Sequence, residues 1–177
     1  TLDLKKVLSD KGDENAVRIC TQDRNDGIHK PALDLQILKD LAIHTGTTGE
    51  ENPTAGLMDR GPFTKEYEVV NTDRNIGTRT AGRVAEIYEN HGLPEESIDL
   101  TFRGSAGQSF GTFLCGGIKL TLIGEGNDYV GKGMSNGEIT VRPPAVMNSD
   151  FIAAKNSIVG NTCLYGATGG KLFVNGR

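Results

Sequence analysis

A short glycine-led segment that recurs in the C-terminal half of the chain constrains the fold more than any other feature. The segment GGIKL at 116–120 recurs as GEITV at 137–141 and GKLFV at 170–174, and IDLTF at 98–102 is an earlier copy without glycine. The copies start about 20, 21 and 33 residues apart, and the last interval holds an insertion around two prolines. A period near 20 residues with one short alternating strand per unit is typical of a solenoid.

The glycine content of the same region supports this interpretation. Residues 104–177 contain 15 glycines in 74 positions, a density that helices do not tolerate. Glycine at a corner lets the chain turn sharply at positive φ and lets neighbouring coils approach closely. The pattern therefore predicts a mainly-β fold, with a single-stranded parallel β-helix at residues 66–177 and a small α/β connector or arm at residues 1–65.

The arm and its junction carry weaker local signals. A helix is predicted after Pro31, which suits a first-turn position, from an apolar stripe made of Leu33, Leu35, Ile37, Leu38, Leu41 and Ala42. Residues 66–71 read as a strand. A second helix is predicted at about residues 75–90, with one face formed by Ile76, Thr80, Val84, Ile87 and Tyr88.

Composition excludes several functional classes. The net charge is −4 and the pI is about 5.4, which argues against nucleic-acid binding because counterion release requires clustered Lys and Arg. The chain has no run of about 18 apolar residues, so we expect no membrane partner. It begins at Thr1 without a signal-peptide pattern or an initiator Met, which indicates a processed, excised or incompletely represented chain.

The cysteines do not form a metal-binding pattern. Cys20, Cys115 and Cys163 are widely spaced and no C-x-x-C pair occurs, so we expect no zinc or iron–sulfur site built by this chain. Three reduced, buried thiols in a cytoplasmic protein are the expected state.

Two motifs resemble catalytic or binding loops. Residues 126–133, GNDYVGKG, nearly match the phosphate loop, but Gly133 lacks the hydroxyl that holds Mg²⁺ and no helix pattern follows. We interpret this segment as a solenoid corner. Ser105 lies in a tight glycine loop, but a nucleophilic serine needs a nearby His and carboxylate. The histidines, His29, His44 and His91, lie in the arm or at a helix end and have no metal-ligand spacing.

Several polar residues have both a functional and a structural interpretation. Asp73, Arg74 and Arg79 either contact a neighbouring domain or form a local salt bridge or cap, since Thr72 and Asp73 are good helix N-caps. Asn127–Asp128 and Asn161–Thr162 are expected to cap corners. The sequence therefore predicts no catalytic, cofactor-binding or metal-ligating residue.

Five ordered blocks carry a resemblance to a known family, found at 71–79 (NTDRNIGTR), 103–111 (RGSAGQSFG), 124–134 (GEGNDYVGKGM), 158–162 (IVGNT) and 164–170 (LYGATGG). Together they closely resemble the C-terminal glycine-repeat (GXGXG) domain of the large subunit of glutamate synthase. The resemblance covers about residues 68–177, and the connector that precedes the domain matches more weakly. TAG at 80–82 stands where the family more often has LSG.

The resemblance implies a right-handed parallel β-helix and a non-catalytic scaffold role. In the family this domain packs against the glutaminase and FMN domains so that ammonia passes between their sites. FMN and an iron–sulfur cluster are implied for the rest of that complex, and no cofactor for this chain.

Two alternatives and one further expectation accompany this reading. The first alternative function is that of an accessory subunit of another redox complex, since the β-helix subunit of formylmethanofuran dehydrogenase has the same type of repeat. The second alternative is an independent enzyme with an active site in a groove of the solenoid. The chain ends at Arg177, where the family continues, so a truncated solenoid is expected to expose Leu172 and Val174. That end is predicted to dock on missing coils, the catalytic domains or a second copy of the chain.

Overall fold

The computed structural model describes residues 3–5, 30–48, 51–145 and 151–177. The chain divides into two compact units, Thr1–Lys30 and Pro31–Arg177, and the elements below belong to the second unit. Its helices are α1 (Leu33–Thr45), α2 (Leu57–Arg60) and α3 (Thr78–Tyr88), and two single 3-10 turns lie at Glu89–His91 and Ala153–Lys155. Its strands are β1 (Phe63–Val69), β2 (Ile98–Ala106), β3 (Ile118–Gly126), β4 (Glu138–Arg142) and β5 (Lys171–Val174).

The strands form one five-stranded sheet in the order β1-β2-β3-β4-β5, and every neighbouring pair is parallel. Two consecutive parallel strands require a connection that brings the chain back to the end of the sheet at which the first strand began. The β1–β2 connection contains α3, whereas turns occupy residues 107–117 and 127–137 between the later strands. Each new strand therefore lies beside the previous one.

The predicted mainly-β solenoid is wrong. The described residues contain a single parallel sheet, and their helical segments include about as many residues as their strands, so the architecture is α/β. The glycine repeat predicts only the strands and turns that follow β1. It lies outside α1 and α3, so it does not predict that their buried side chains share one hydrophobic core with the sheet.

The strand register agrees with the repeat at two junctions and differs at one. Ile98 pairs with Ile118, and Ile139 pairs with Leu172, as the 20- and 33-residue intervals predict. At the β3–β4 junction, Leu120 pairs with Ile139, 19 residues later, where the repeat predicted 21. The slip is two residues, and because side chains alternate with a period of two, the inward face stays the same.

The core consists of apolar ladders on that inward face. Leu100, Leu120 and Ile139 lie in register, and Phe102, Leu122 and Val141 form the next ladder. All six are fully buried, and each contributes roughly 2–3 kcal/mol of hydrophobic stabilisation. Side chains from the helices and turns complete the core, among them Ile37, Leu41, Val84, Phe110 and Met134.

The local predictions are mostly confirmed, with shifted ends. α1 begins two residues after Pro31, β1 runs three residues earlier than predicted at its start, and α3 ends at Tyr88, before Gly92. The corner glycines predicted at Gly137 and Gly170 have φ of +86° and +92° and immediately precede β4 and β5, whereas in the first copy the positive φ, +88°, falls on Gly117 before β3 rather than on Gly116. In α1 the predicted apolar stripe holds at Ile37 and Leu41, whereas Leu35 is 48% exposed.

Candidate interaction surface

A buried carboxylate on α1 positions α3. Asp34 is 3% exposed, and its two carboxylate oxygens accept hydrogen bonds from the backbone N–H groups of Gly77 at 2.8 Å and Arg79 at 2.7 Å. Desolvation by burial raises the pKa of Asp34, although these backbone bonds and the charge of Arg79 oppose the rise. Asp34 therefore caps a helix that begins 44 residues later in the chain.

The N-cap predicted at Thr72 or Asp73 is wrong, since α3 begins at Thr78 after Gly77. The carboxylate of Asp73 instead accepts a hydrogen bond from the N–H of Val70 at 3.0 Å, and the N–H of Asp73 donates to the carbonyl of Val70. Asp73 is therefore buried in a tight turn, where its carboxylate has a local structural role. Arg74 and Arg79 are exposed.

A second carboxylate joins α1 to β1. Asp40 accepts hydrogen bonds from the Tyr67 hydroxyl at 2.8 Å and the Gln36 amide at 3.0 Å, and it pairs with the Lys65 ammonium at 3.0 Å. Desolvation raises the pKa of Asp40, but the three partners together hold it below its ordinary value. Burial and the bond to Asp40 raise the pKa of Tyr67. The predictions missed both carboxylates, although the spacing of Asp34 with Ile37 and Leu41 places it on the buried face.

Of the two motifs that resemble catalytic loops, the phosphate-loop segment forms a turn, whereas Ser105 lies in a strand and not in the predicted tight loop. Residues 126–133 leave β3 and lead to β4, so a strand follows where a phosphate loop has a helix. Ser105 lies in β2 and donates to the carboxylate of Glu125 at 2.8 Å. A ring nitrogen of His44 lies 3.1 Å from the carbonyl oxygen of Gly61, His91 lies in a 3-10 turn, and His29 is outside the described residues.

The cysteines are not arranged as ligands. Cys20 lies outside the described residues, Cys115 is buried and Cys163 is half-buried. Burial raises the pKa of Cys115 to about 11 and also raises the pKa of Cys163, so both are thiols at neutral pH. The described ranges contain no group of three or more His, Cys, Asp or Glu side chains that could hold a metal ion.

A cavity of about 480 Å³ lies at the carboxyl ends of β2 and β3. Its polar side chains include Arg103, Ser105 and Glu125. Arg103 forms an ion pair with Glu66 at 2.6 Å, and Ser105 and Glu125 are bonded to each other, so these groups already have partners within the chain. The cavity therefore does not identify a small-molecule site.

The outer face of the sheet is polar and alternates in charge. Asp99, Lys119, Glu138 and Lys171 occupy one register position on four successive strands. Lys119 forms ion pairs with Glu96 at 2.9 Å and Asp99 at 3.5 Å. On the edge strand β5, Leu172 and Val174 are half-buried and Phe173 is 53% exposed. Most of this face has the character of a solvated surface.

Three stacked turns form a different surface. Turn A (107–117), turn B (127–137) and turn C (160–170) each precede a strand and share one backbone pattern. Besides the final glycine of each turn, positive φ occurs at three alternate positions: Ser109, Gly111 and Phe113 in turn A, Tyr129, Gly131 and Gly133 in turn B, and Thr162, Leu164 and Gly166 in turn C. Backbone hydrogen bonds join the turns, including Ser109 N–H to Asp128 and Tyr129 N–H to Asn161.

These turns carry a group of side chains that we name the aromatic patch: the exposed Phe113, Leu164 and Tyr165 with the half-buried Tyr129 and Lys132. The ring of Phe113 covers Gly133, and Leu164 lies against Gly131. The rings of Tyr129 and Tyr165 meet edge to face at 6.1 Å, and the Lys132 ammonium lies 5.1 Å from the centre of the Tyr129 ring. Phe113, Leu164 and Tyr165 are 58%, 41% and 63% exposed.

The sequence predictions missed this patch. The signal was available in principle, because turns stack at the strand intervals of 20 and 33 residues, and Phe113, Gly133 and Gly166 occur at these intervals. We find no helix among the described residues that is long and apolar enough to cross a membrane.

Comparison with known proteins identifies one family. The family model described as the GXGXG motif matches residues 51–177. The chain is 48% identical over 147 residues to ferredoxin-dependent glutamate synthase 2 of Synechocystis sp., a match that covers 83% of this chain and 9% of that protein.

A plant and a yeast glutamate synthase also match the chain. The chloroplastic ferredoxin-dependent glutamate synthase of Oryza sativa subsp. japonica is 41% identical over 178 residues, which covers 99% of this chain and 10% of that protein. The NADH glutamate synthase of Saccharomyces cerevisiae is 47% identical over 120 residues, 67% of this chain and 6% of that protein. The chain therefore spans about a tenth or less of the length of these relatives.

Proposed function

Because the chain belongs to the GXGXG family, we propose that it is a non-catalytic structural part of a glutamate synthase, which it serves by holding the glutaminase and FMN domains together. The observation that carries this proposal is the set of three hydrogen-bonded turns on a parallel sheet. Such a layered platform supports a positioning role, because a rigid surface loses little conformational entropy when another domain docks on it. The names of its relatives favour this function over an accessory subunit of another redox complex.

The cofactors of the complex belong to other domains in this proposal. FMN supplies hydride and electron transfer, and an iron–sulfur cluster supplies single electrons. The described residues fit neither group. Cys115 is a buried thiol far in sequence from Cys163, and the phosphate-loop segment at 126–133 leads into a strand. We therefore assign no catalytic step to this chain. A cytoplasmic location is part of the same proposal.

The proposal is tested with the native protein that carries these residues and with the 177-residue chain alone. Supplied with an electron donor, the native protein is expected to form two glutamates from one glutamine and one 2-oxoglutarate, the second by reduction of 2-oxoglutarate with the ammonia released from glutamine. The chain alone is expected to be colourless and to hydrolyse no glutamine. Absorbance spectra and glutamate and ammonia assays are the measurements.

Either part of the proposal can fail separately. A flavin absorbance band or glutaminase activity in the chain alone would contradict the non-catalytic role. A native protein that is supplied with an electron donor and still converts no 2-oxoglutarate to glutamate would exclude glutamate synthase.

A further inference from the structure

We propose that the aromatic patch is the docking surface for an apolar, carboxylate-bearing face of another domain of the complex, an inference that rests on the proposed function. Phe113 and Tyr165 are each more than half exposed, and Leu164, which precedes Tyr165 in the chain, is 41% exposed. Isolated exposed apolar residues are ordinary, but a contiguous group of them marks an interaction surface. Aromatic side chains are also enriched at the centres of protein interfaces.

Three residues of the patch occupy strained backbone positions. Phe113, Tyr129 and Leu164 have φ of +55°, +65° and +59°, a left-handed conformation that is unfavourable for bulky residues. At the third position of the pattern, turns B and C carry Gly133 and Gly166 where turn A carries Phe113. Strained residues of this kind cluster at functional sites.

The same contrast occurs at the second position. Turns A and B carry Gly111 and Gly131 there, whereas turn C carries Leu164. Glycine would adopt these backbone angles without strain. The chain therefore places large apolar side chains at strained positions and leaves them exposed, which a purely structural turn does not require.

The charge of the patch indicates what the partner carries. Lys132 is half-buried beside Tyr129, and among the described residues no carboxylate lies within ion-pair distance of it. A partner that covers the patch would desolvate this ammonium group, and an uncompensated buried charge is costly. We therefore expect a carboxylate on the partner, opposite Lys132.

A second copy of the chain fits the patch poorly. In a twofold-symmetric contact the same patch meets itself, so the second copy brings a patch that contains Lys132 and no carboxylate. The two patches are therefore not complementary in charge, which disfavours such a pairing. The matched segments make up only 9% and 10% of the relatives from Synechocystis and Oryza, so the proposed complex contains other domains that can supply the partner face.

The experiment measures solvent access to the patch in the intact native protein. Phe113→Cys is labelled with a maleimide, and the labelled peptide is quantified by mass spectrometry. Met58→Cys on α2 is the matched control, because Met58 is 60% exposed and Phe113 is 58% exposed. Labelling of Phe113→Cys is expected to be about tenfold slower than that of Met58→Cys, since interface centres exclude water.

Three further variants and a measurement of melting temperature make the test independent of one labelled position and of folding. Tyr165→Cys is expected to be shielded like Phe113→Cys. In either background, Lys132→Glu is expected to restore labelling, whereas Lys171→Glu, on the outer face of the sheet, is expected to leave it slow. The folding control is the melting temperature of each Cys variant, which is expected to be close to that of the unsubstituted protein.

Equal labelling rates for Phe113→Cys, Tyr165→Cys and Met58→Cys would overturn the inference. Shielding that disappears on dilution would identify a second copy and would also overturn it, and shielding unchanged by Lys132→Glu would exclude the carboxylate partner. These readouts do not depend on catalysis. If the patch is labelled freely in a protein that forms glutamate, only the docking proposal is contradicted. If the patch is shielded in a protein that forms no glutamate, the proposed function is contradicted.

Discussion

Gly137→Ala is expected to destabilise the chain by roughly 2–4 kcal/mol, the combined cost of a left-handed backbone and of overlap with a rigid neighbour. Gly137 has φ of +86°, and a Cβ at this position would lie 2.7 Å from the carbonyl oxygens of Cys115 and Ile118. Both oxygens belong to the backbone of the preceding repeat, so no change of rotamer relieves the contact. Urea denaturation measures the loss.

Gly82→Ala is the matched control. Gly82 lies inside α3 without a positive φ, and an added Cβ would have no atom within 4 Å. Alanine is therefore expected to stabilise the helix by about 0.5–1 kcal/mol. The two substitutions add the same methyl group with opposite expected signs. A Gly137→Ala protein as stable as the parent would show that this corner is not held against the neighbouring repeat.

Asp34→Ala is expected to cost roughly 2–5 kcal/mol, because it leaves two N–H groups at the start of α3 without their acceptors. Asp34 is 3% exposed, so water does not readily replace the carboxylate. Asp34→Asn keeps one acceptor oxygen and is expected to lose less. Thermal and urea unfolding provide the comparison.

Asp59→Ala is the control for the removal of a carboxylate. Asp59 is exposed on α2, so its loss is expected to change the free energy of unfolding by no more than about 0.5 kcal/mol. If Asp34→Ala proved as mild as Asp59→Ala, the link between α1 and α3 would not contribute to stability.

The strands were predictable because their signals are local. Alternating apolar residues such as Leu120, Leu122 and Ile139 define the inward face, and glycines at positive φ mark where β3, β4 and β5 begin. The two-residue error at β3–β4 arose because a shift of two preserves the apolar alternation. The pattern alone does not distinguish these two registers.

The fold class and the surface were not predictable in the same way. A repeat of strands and turns contains no information on α1 and α3, and it suggested a mainly-β chain. Asp34 acts on a helix far along the sequence, and an aspartate is ordinarily expected on the surface. The exposure of Phe113 depends on its position over Gly133 in the next turn, which only the stacked structure shows.

The most direct test of the account is the ratio of glutamate formed to glutamine hydrolysed by the intact native protein that carries Phe113→Asn and Leu164→Asn. Asparagine tolerates positive φ, so the turns are expected to stay folded while the apolar surface is lost. If the chain positions the catalytic domains, this ratio falls, whereas glutamine hydrolysis and ammonia-dependent glutamate synthesis both persist and Met58→Asn changes nothing. An unchanged ratio, or the loss of one partial reaction in a folded variant, would contradict the account.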